Sequence, residues 1–144
     1  MKVDGIITFI GRVIERKDQY SIIKIYDHFR KGIMGLEKFS HVIVLYWFHL
    51  NDNVEKRSIL EVHPRGNPLN PLVGVFASRS PSRPNPIGLC VCKINYMNFD
   101  KGILCVQNLD ALVESPIVDI KPYIPSLDAY PCAQVPVWAK GDRK

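Results

Sequence analysis

Short runs of β-branched and aromatic residues, each ended by glycine, proline, asparagine or aspartate, recur along the whole chain. Such runs are typical of β-strands, and almost no segment shows the apolar period of an amphipathic helix. The pattern therefore predicts a mostly β protein. The predicted strands are residues 6–10, 20–26, 41–49, 72–76, 89–97, 103–109 and 117–121.

Seven short strands without intervening helices favour a small closed or nearly closed β-barrel. Residues 41–49, HVIVLYWFH, are almost continuously apolar, which indicates a central strand covered on both faces. The aromatic residues in this run are explained better by core packing than by base stacking. Residues 98–102, NFDKG, predict a hairpin loop with a glycine for positive φ.

The eleven prolines are clustered in the chain. Because proline cannot donate a hydrogen bond to a strand ladder, each cluster is predicted to be a stiff loop between strands. Rigid loops on a β scaffold are good places to hold a ligand. The clusters are residues 64–71, 81–86, 116–125 and 131–136.

Composition limits the class of protein. With 144 residues, 47% hydrophobic and 23% charged, the chain suits one folded domain and is neither disordered nor collagen-like. We expect one barrel domain over residues 1–138 and a charged tail over residues 139–144. The net charge of +5 suits an anionic partner such as nucleic acid or a nucleotide, but proteins with no such partner are equally often this basic. No secretory signal or membrane span is recognised, so we expect a cytoplasmic protein.

The cysteine and histidine spacings do not predict a metal site. Cys90 and Cys92 form a C-x-C pair and Cys105 and Cys132 stand alone, so no C-x-x-C motif begins a zinc knuckle. We expect reduced, mostly buried thiols that pack as small apolar side chains. The four histidines also lack ligand spacing, which makes a zinc hydrolase the least favoured class of enzyme.

The densest chemical pattern lies in residues 74–89, GVFASRSPSRPNPIGL. It holds Arg79 and Arg83, and it places Asn85 between two prolines. The planar fork of arginine suits carboxylates, phosphates and base edges, and a proline-stiffened loop would hold that fork still. On composition alone, a binding loop and a surface loop with solvated arginines explain this string equally well.

Within this string, residues 76–89 closely resemble the signature of the TsaA-like, or TrmO, family. Residues 35–41, GLEKFSH, with residues 46–49, YWFH, are similar to the second block of that family. Residues 109–110, LD, with residues 115–123, SPIVDIKPY, are similar to its third block. Three long blocks in the same order are a specific resemblance.

The resemblance implies a homodimeric β-barrel that binds S-adenosylmethionine and methylates the exocyclic amine of a threonylcarbamoyl-type adenosine beside the tRNA anticodon. No G-x-G-x-x-G turn is found between a strand and a helix, which disfavours a Rossmann-type methyltransferase. Two alternatives stay open. One is a non-catalytic barrel that binds S-adenosylmethionine or RNA as a sensor or accessory module, and the other is methylation of a small-molecule or protein amine.

The resemblance also implies a set of cofactor contacts, carried over residue by residue. Leu89 and Leu109 would sandwich the adenine ring, although both are equally plausible core residues. Asp110 or Asn108 would accept ribose hydroxyls or the ammonium group. Arg79 would pair with the methionine carboxylate or with an RNA phosphate. The predicted cofactor residues are His49, Leu50, Arg79, Leu89, Gln107, Asn108, Leu109 and Asp110, and the predicted substrate-binding residues are Arg83 and Asn85.

Asp119, Lys121 and Tyr123 alternate along the third block, so their side chains share one face if the segment is extended. We expect them to line the acceptor pocket. Asp119 or Tyr123 would orient or deprotonate the amine, and Lys121 would hold a phosphate or lower the pKa of a neighbour. A structural Asp119–Lys121 ion pair explains the spacing equally well.

Overall fold

The computed structural model describes residues 2–141; residues 142–144 of the predicted charged tail lie outside the described residues. The chain forms two compact units, one made of the chain up to Leu50 with Ile87–Tyr123, the other of Asn51–Pro86 with the chain from Ile124 onward. Besides short 3-10 helices, the described residues form β1 (Gly11–Lys17), β2 (Tyr20–Ile25), β3 (His41–Trp47), α1 (Val54–Arg57), β4 (Glu61–Val62), β5 (Val73–Gly74), β6 (Ile87–Asn98), β7 (Ile103–Gln107), β8 (Pro116–Pro122) and α2 (Pro125–Asp128).

The first unit is a closed antiparallel β-barrel, which confirms the predicted fold class. Its six strands follow the order β1-β2-β7-β6-β3-β8, and the pairing of Gly11 with Ile117 closes the ring between β1 and β8. Every strand of the barrel lies within the first unit. That residues 1–138 form one domain stays a prediction.

Alternating apolar side chains fill the barrel. Val13, Ile23, Val42, Leu104 and Val106 come from four strands of the ring, β1, β2, β3 and β7, and are 0% exposed. A barrel of so few strands is filled by its own side chains and encloses no ligand cavity. Binding sites of this unit therefore lie on its outer surface or at its ends.

Five predicted strands are confirmed as β2, β3, β6, β7 and β8, each to within two residues at either end. The hairpin after β6 is also confirmed, because Gly102 has φ 64° and its N–H donates to the Phe99 carbonyl at 3.1 Å. Strand β3 is central, with β6 and β8 on its two sides, but its outward residues His41, Ile43 and Leu45 are only half-buried.

The predicted strand at residues 6–10 is wrong. This segment has no regular structure, Ile6 is 95% exposed, and strand β1 begins at Gly11. A Cβ at Gly11 would collide with the carbonyl oxygen of Lys24 on β2. Gly11 is thus the first residue of a strand and not the end of one, and glycine is required there because another backbone approaches closely.

The predicted strand at residues 72–76 is mostly wrong. Only Val73–Gly74 pairs, with the unpredicted strand β4, and Val75–Ala77 forms a 3-10 turn. The Ser78 hydroxyl donates to the Val75 carbonyl at 2.9 Å and closes this turn. A side-chain bond to the backbone therefore ends the strand early.

The proline stretch at residues 116–125 is not wholly a loop, because it contains β8. Pro116 and Pro122 are the first and last residues of this strand, where a missing N–H costs little. None of the helices within residues 2–141 has the length and apolar character that a membrane crossing requires.

Candidate functional site

Strands β6, β3 and β8 present one outward face of the barrel. Leu89 on β6 pairs with Leu45 on β3, and Leu45 pairs with Asp119 on β8. Neighbouring strands are about 4.8 Å apart, so the backbones at Leu89 and Asp119 are separated by about 10 Å. The register therefore brings a predicted cofactor residue and a predicted catalytic residue to the same face.

A β-bulge at Val118 turns Asp119 onto this face. Tyr46 pairs with Ile117, which is fully buried in the core, whereas the next pair joins Leu45 to Asp119. Residues two apart in a strand normally share a face, so without the bulge Asp119 would point into the barrel as Ile117 does. The extra residue explains how a carboxylate reaches the surface here.

Asp119 and Lys121 share the outward face, as predicted. Lys121 Nζ donates to Asp119 Oδ2 at 2.8 Å, and this hydrogen bond raises the pKa of Lys121. Asp119 Oδ1 accepts from the Ile120 N–H at 2.9 Å. Tyr123 follows, with its N–H bonded to the His41 carbonyl at 3.1 Å. The Asp119–Lys121 ion pair, which by itself would explain the spacing of the two residues, is present. The catalytic roles of Asp119, Lys121 and Tyr123 stay predictions.

Asp119 also lines a cavity of about 600 Å³ in the first unit. The cavity walls include the apolar side chains of Phe29, Met34 and Phe39, and Met34 is 75% exposed. Cavities of this volume with mostly apolar walls and few polar groups are typical of small-ligand sites. The chemistry of the walls suits a flat aromatic base beside a carboxylate.

The two predicted adenine-binding leucines lie in different environments. Leu89 is 43% exposed on the outer face, whereas Leu109 is 3% exposed and packs in the core. The prediction that the Leu109 side chain covers one side of the adenine is therefore wrong, because its apolar atoms already fill the barrel. Before it, Asn108 has φ 67°, a conformation that asparagine tolerates better than most residues.

Asp110 has a fixed backbone and an available carboxylate. Its carbonyl accepts a hydrogen bond from Tyr46 Oη at 2.7 Å, and its N–H donates to Cys90 Sγ at 3.4 Å. Burial is the main cause that raises the pKa of Tyr46, so the phenol stays a neutral donor. Within residues 2–141 the Asp110 carboxylate accepts no hydrogen bond, and it is exposed. It can accept a hydroxyl or ammonium group of a ligand.

Tyr46 and Gly88 shape the surface around Asp110, and neither is among the predicted site residues. A Cβ at Gly88 would lie 2.5 Å from Tyr46 Cζ and 2.7 Å from Phe48 Cζ. Only glycine leaves room for the ring that holds Asp110. Gly88 belongs to the signature string, but no sequence pattern connects it to a tyrosine that lies so far away in the chain.

The other predicted cofactor residues of the first unit lie near strand ends. His49 is half-buried and begins the 3-10 turn His49–Asn51, which is separated from the end of β3 by one residue, and Leu50 is 63% exposed. Gln107 is the last residue of β7 and pairs with Lys93. These positions are accessible to a ligand, and their cofactor roles stay predictions.

Arg79, Arg83 and Asn85 lie in the second unit. Arg83 Nη1 donates to the carbonyl oxygens of Ser78 and Ser80, each at 3.1 Å, and so it holds the backbone on both sides of Arg79. Arg79 is exposed and forms no hydrogen bond or ion pair with the described part of the chain. Asn85 is exposed as well.

Among the described residues, no group of three or more histidine, cysteine, aspartate or glutamate side chains is arranged to hold a metal ion. Cys92 and Cys105 are buried, Cys90 is half-buried and Cys132 is exposed, so the prediction of buried thiols is confirmed except at Cys132. Burial raises the pKa of Cys92 to about 12. Such a thiol is inert at neutral pH and packs as an apolar side chain.

Comparison with known sequences gives a family match and close relatives. The family described as tRNA-methyltransferase O N-terminal domain matches residues 12–129. A probable S-adenosyl-L-methionine-binding protein of Methanocaldococcus jannaschii is 48% identical over 81% of this chain and 90% of its own length. The human tRNA (adenine(37)-N6)-methyltransferase is 37% identical over 74% of this chain but only 23% of its own length.

The fold also matches a solved structure. TrmO from P. aeruginosa superimposes with a TM-score of 0.73 at 24% identity, over 96% of this chain and 63% of that one. At this identity the likeness concerns the fold alone. The chain spans less than two thirds of the length of the solved protein it matches.

Proposed function

The chain belongs to the family of tRNA-methyltransferase O N-terminal domains, and we propose that it is an S-adenosylmethionine-dependent methyltransferase that modifies N6 of an adenosine in tRNA. The observation that carries this proposal is the family match over residues 12–129, a span that includes every predicted catalytic and cofactor residue. The favoured acceptor is a threonylcarbamoyl-type adenosine beside the anticodon. The enzyme would act in the cytoplasm, where it would meet tRNA.

Several exposed side chains of the first unit suit the binding of S-adenosylmethionine. Exposed Leu89 offers an apolar surface to an adenine ring, and the carboxylate of Asp110 can accept ribose hydroxyls or an ammonium group. Gln107 and Asn108 add amide groups next to it, and only the backbone of Leu109 can take part. When bound, the cofactor supplies a methyl group on a positively charged sulfur, which departs as a neutral thioether.

The acceptor adenosine would bind in the cavity lined by Phe39, Met34 and Asp119. As the new N–C bond forms, N6 must lose one proton, and we assign Asp119, a carboxylate in the wall of this cavity, as the base that takes it. Lys121 holds Asp119 through its 2.8 Å ion pair and so fixes the direction of the base. The protein's main task is alignment of donor and acceptor, because no covalent nucleophile is needed.

We also propose that two copies of the chain associate through the part of β6 and β3 around Val91. Val91 is 43% exposed there, next to half-buried Ile43 and Leu45. A contiguous apolar surface of this kind is typical of an association site. Light scattering after gel filtration should give a dimer for the parent protein and a monomer for Val91→Lys, which lies outside the predicted cofactor residues.

Methyl transfer is tested by the product S-adenosylhomocysteine. The parent protein should form it only when tRNA carrying the modified adenosine is present. Asp119→Asn should bind S-adenosylmethionine with parental affinity in calorimetric titration but lower kcat by at least 100-fold. Asp100→Asn, in the β6–β7 hairpin, is the matched control and should be fully active. Parental turnover by Asp119→Asn would remove Asp119 from the role of base.

A cofactor-binding protein without catalysis is the second candidate. It is favoured by the M. jannaschii relative, whose description names S-adenosyl-L-methionine binding and no reaction. In that case calorimetry would show saturable binding of the cofactor, but no RNA, small-molecule or protein amine would yield S-adenosylhomocysteine. Arg79→Ala should weaken cofactor binding under either candidate if Arg79 contacts the methionine carboxylate.

A further inference from the structure

The second unit contains a cavity of about 810 Å³ whose role is not explained by the proposed chemistry. Three segments form its walls: residues 62–66 with residue 68, residues 78–81, and residues 138–139. This volume is within the range of about 300–1,000 Å³ that small-ligand pockets occupy. The cavity is large enough for one nucleotide.

The charge of the walls has one sign. Arg65 and Arg79 line the cavity, and none of its lining residues is an aspartate or glutamate. Neither guanidinium forms an ion pair or hydrogen bond within residues 2–141. Two unneutralised arginine forks around one cavity are suited to bind a phosphate.

Hydrogen bonds hold the backbone segments that carry Arg65 and Arg79. Arg83 bridges the carbonyls of Ser78 and Ser80 and fixes the segment that carries Arg79. The segment that carries Arg65 is closed by two hydrogen bonds, from His63 Nδ1 to the Asn70 carbonyl at 2.8 Å and from Asn70 Nδ2 to the Pro64 carbonyl at 2.7 Å. Positions held in this way lose little entropy when an anion binds.

Trp138 adds an aromatic, apolar surface to the same cavity. It is half-buried in the 3-10 turn Val137–Ala139. Pro64, Pro68 and Pro81 add further apolar surface. An indole ring offers a flat face on which any nucleobase can stack. The cavity thus combines an aromatic ring for stacking a base with guanidinium groups that can donate hydrogen bonds to a phosphate. A nucleotide-binding site needs both.

We infer that this cavity binds one nucleotide of the RNA strand, its phosphate held by Arg65 and its base stacked on Trp138, while Arg79 adds positive charge to the cavity walls. The inference rests on the proposed function in so far as the ligand is RNA. It adds a contact to a nucleotide other than the one that is methylated. Arg65 and Trp138 are outside the predicted cofactor residues, and they test the cavity separately from cofactor binding.

The experiment measures binding of an anticodon stem-loop RNA at several salt concentrations, with calorimetric titration of S-adenosylmethionine beside it. Trp138→Ala should weaken RNA binding by roughly 5- to 100-fold with an unchanged salt dependence, because stacking is not ionic. Arg65→Ala should weaken it and lower the slope of log Kd against log salt concentration by about 0.7 to 0.9. Arg65→Lys should keep the slope, since the charge is kept.

Lys56→Ala is the matched control, because Lys56 is an exposed cation of the same unit outside the cavity. Trp138→Phe keeps an aromatic face and should retain most of the affinity, which separates stacking from a folding defect. Parental RNA binding by both Arg65→Ala and Trp138→Ala would overturn the inference and leave the proposed function intact. Loss of S-adenosylmethionine binding in these variants would assign the cavity to the cofactor and also overturn it. Absence of RNA binding by the parent protein would overturn the proposed function itself.

Discussion

At the scale of single residues, Tyr46 connects the core of the barrel to the segment that follows β7. Its ring is 4% exposed and meets Phe48 edge-on with 5.2 Å between ring centroids. Its hydroxyl reaches the Asp110 carbonyl, and Gly88 leaves the space that the ring occupies. One buried phenol therefore fixes where the Asp110 carboxylate stands on the surface.

Tyr46→Phe removes this hydrogen bond and leaves the Asp110 carbonyl without its donor. We expect a loss of about 1–3 kcal/mol in the free energy of unfolding and weaker binding of S-adenosylmethionine. Urea unfolding and calorimetry measure the two effects. Tyr96→Phe, at a tyrosine that is 52% exposed, is the control and should change neither. Unchanged cofactor affinity in Tyr46→Phe would show that the position of Asp110 does not matter for binding.

Gly88→Ala places a methyl group against the Tyr46 and Phe48 rings, at 2.5 and 2.7 Å. Both rings are packed, so we expect overpacking to lower the free energy of unfolding by about 1–3 kcal/mol. Gly32→Ala is the comparison, because nothing lies within 4 Å of its Cβ position. The two variants are compared by urea unfolding, and equal stability would mean that the rings move aside without cost.

At the scale of elements, two local irregularities set the geometry of the barrel. The bulge at Val118 sends Asp119 outward, and the turn at Gly102 joins β6 to β7. Gly102 has a positive φ of 64°, and a Cβ there would lie 2.8 Å from the Ile25 carbonyl oxygen on β2. The hairpin turn therefore also fits against a third strand.

Gly102→Ala should destabilise the protein more than Gly35→Ala does. Both glycines have positive φ, so each variant bears the strain of a left-handed alanine, about 1 kcal/mol. Only Gly102 has a backbone atom in the way, whereas nothing lies within 4 Å of a Cβ at Gly35. Thermal unfolding followed by circular dichroism measures the difference. A larger drop in Tm for Gly35→Ala would contradict the role of the close approach to β2.

At the scale of the whole molecule, closure of the ring buries ionisable groups that stay neutral. Cys92 and Tyr46 both project into the core, and burial is the main cause of the raised pKa of each. In the unfolded chain the Cys92 thiol would ionise at its ordinary pKa of 9.0, whereas in the barrel it keeps its proton to about pH 12. The folded state thus binds more protons than the unfolded state at alkaline pH.

Stability should therefore fall as the pH rises above 9, because the unfolded state releases the Cys92 proton and the folded state does not. Below pH 9 this contribution is fully present. We expect Tm to decline from pH 9 upward and to decline less steeply in Cys92→Ala. Cys132→Ala, at an exposed thiol, should follow the parental pH profile. A parental profile for Cys92→Ala would show that another group controls alkaline unfolding.

The strands that were predictable from the sequence include β2, whose side chains alternate between core and surface. The errors at residues 6–10 and 72–76 have a different origin. Gly11 belongs to a strand, and it is a glycine because the Lys24 carbonyl on β2 approaches it closely. Val75 lies outside the strand because the Ser78 hydroxyl bonds to its carbonyl. The first of these depends on a residue from another strand, which a local pattern does not contain.

The β class, the barrel and the family follow from the sequence alone, because apolar alternation and long ordered blocks are properties of neighbouring residues. The positions of the site groups were decided by the tertiary structure. The buried side chain of Leu109, the outward turn of Asp119 at the bulge, and the bond from Tyr46 to Asp110 each depend on which strands are neighbours in the ring. Strand register and ring closure join residues that are distant in the chain, and packing then decides which side chains reach a ligand.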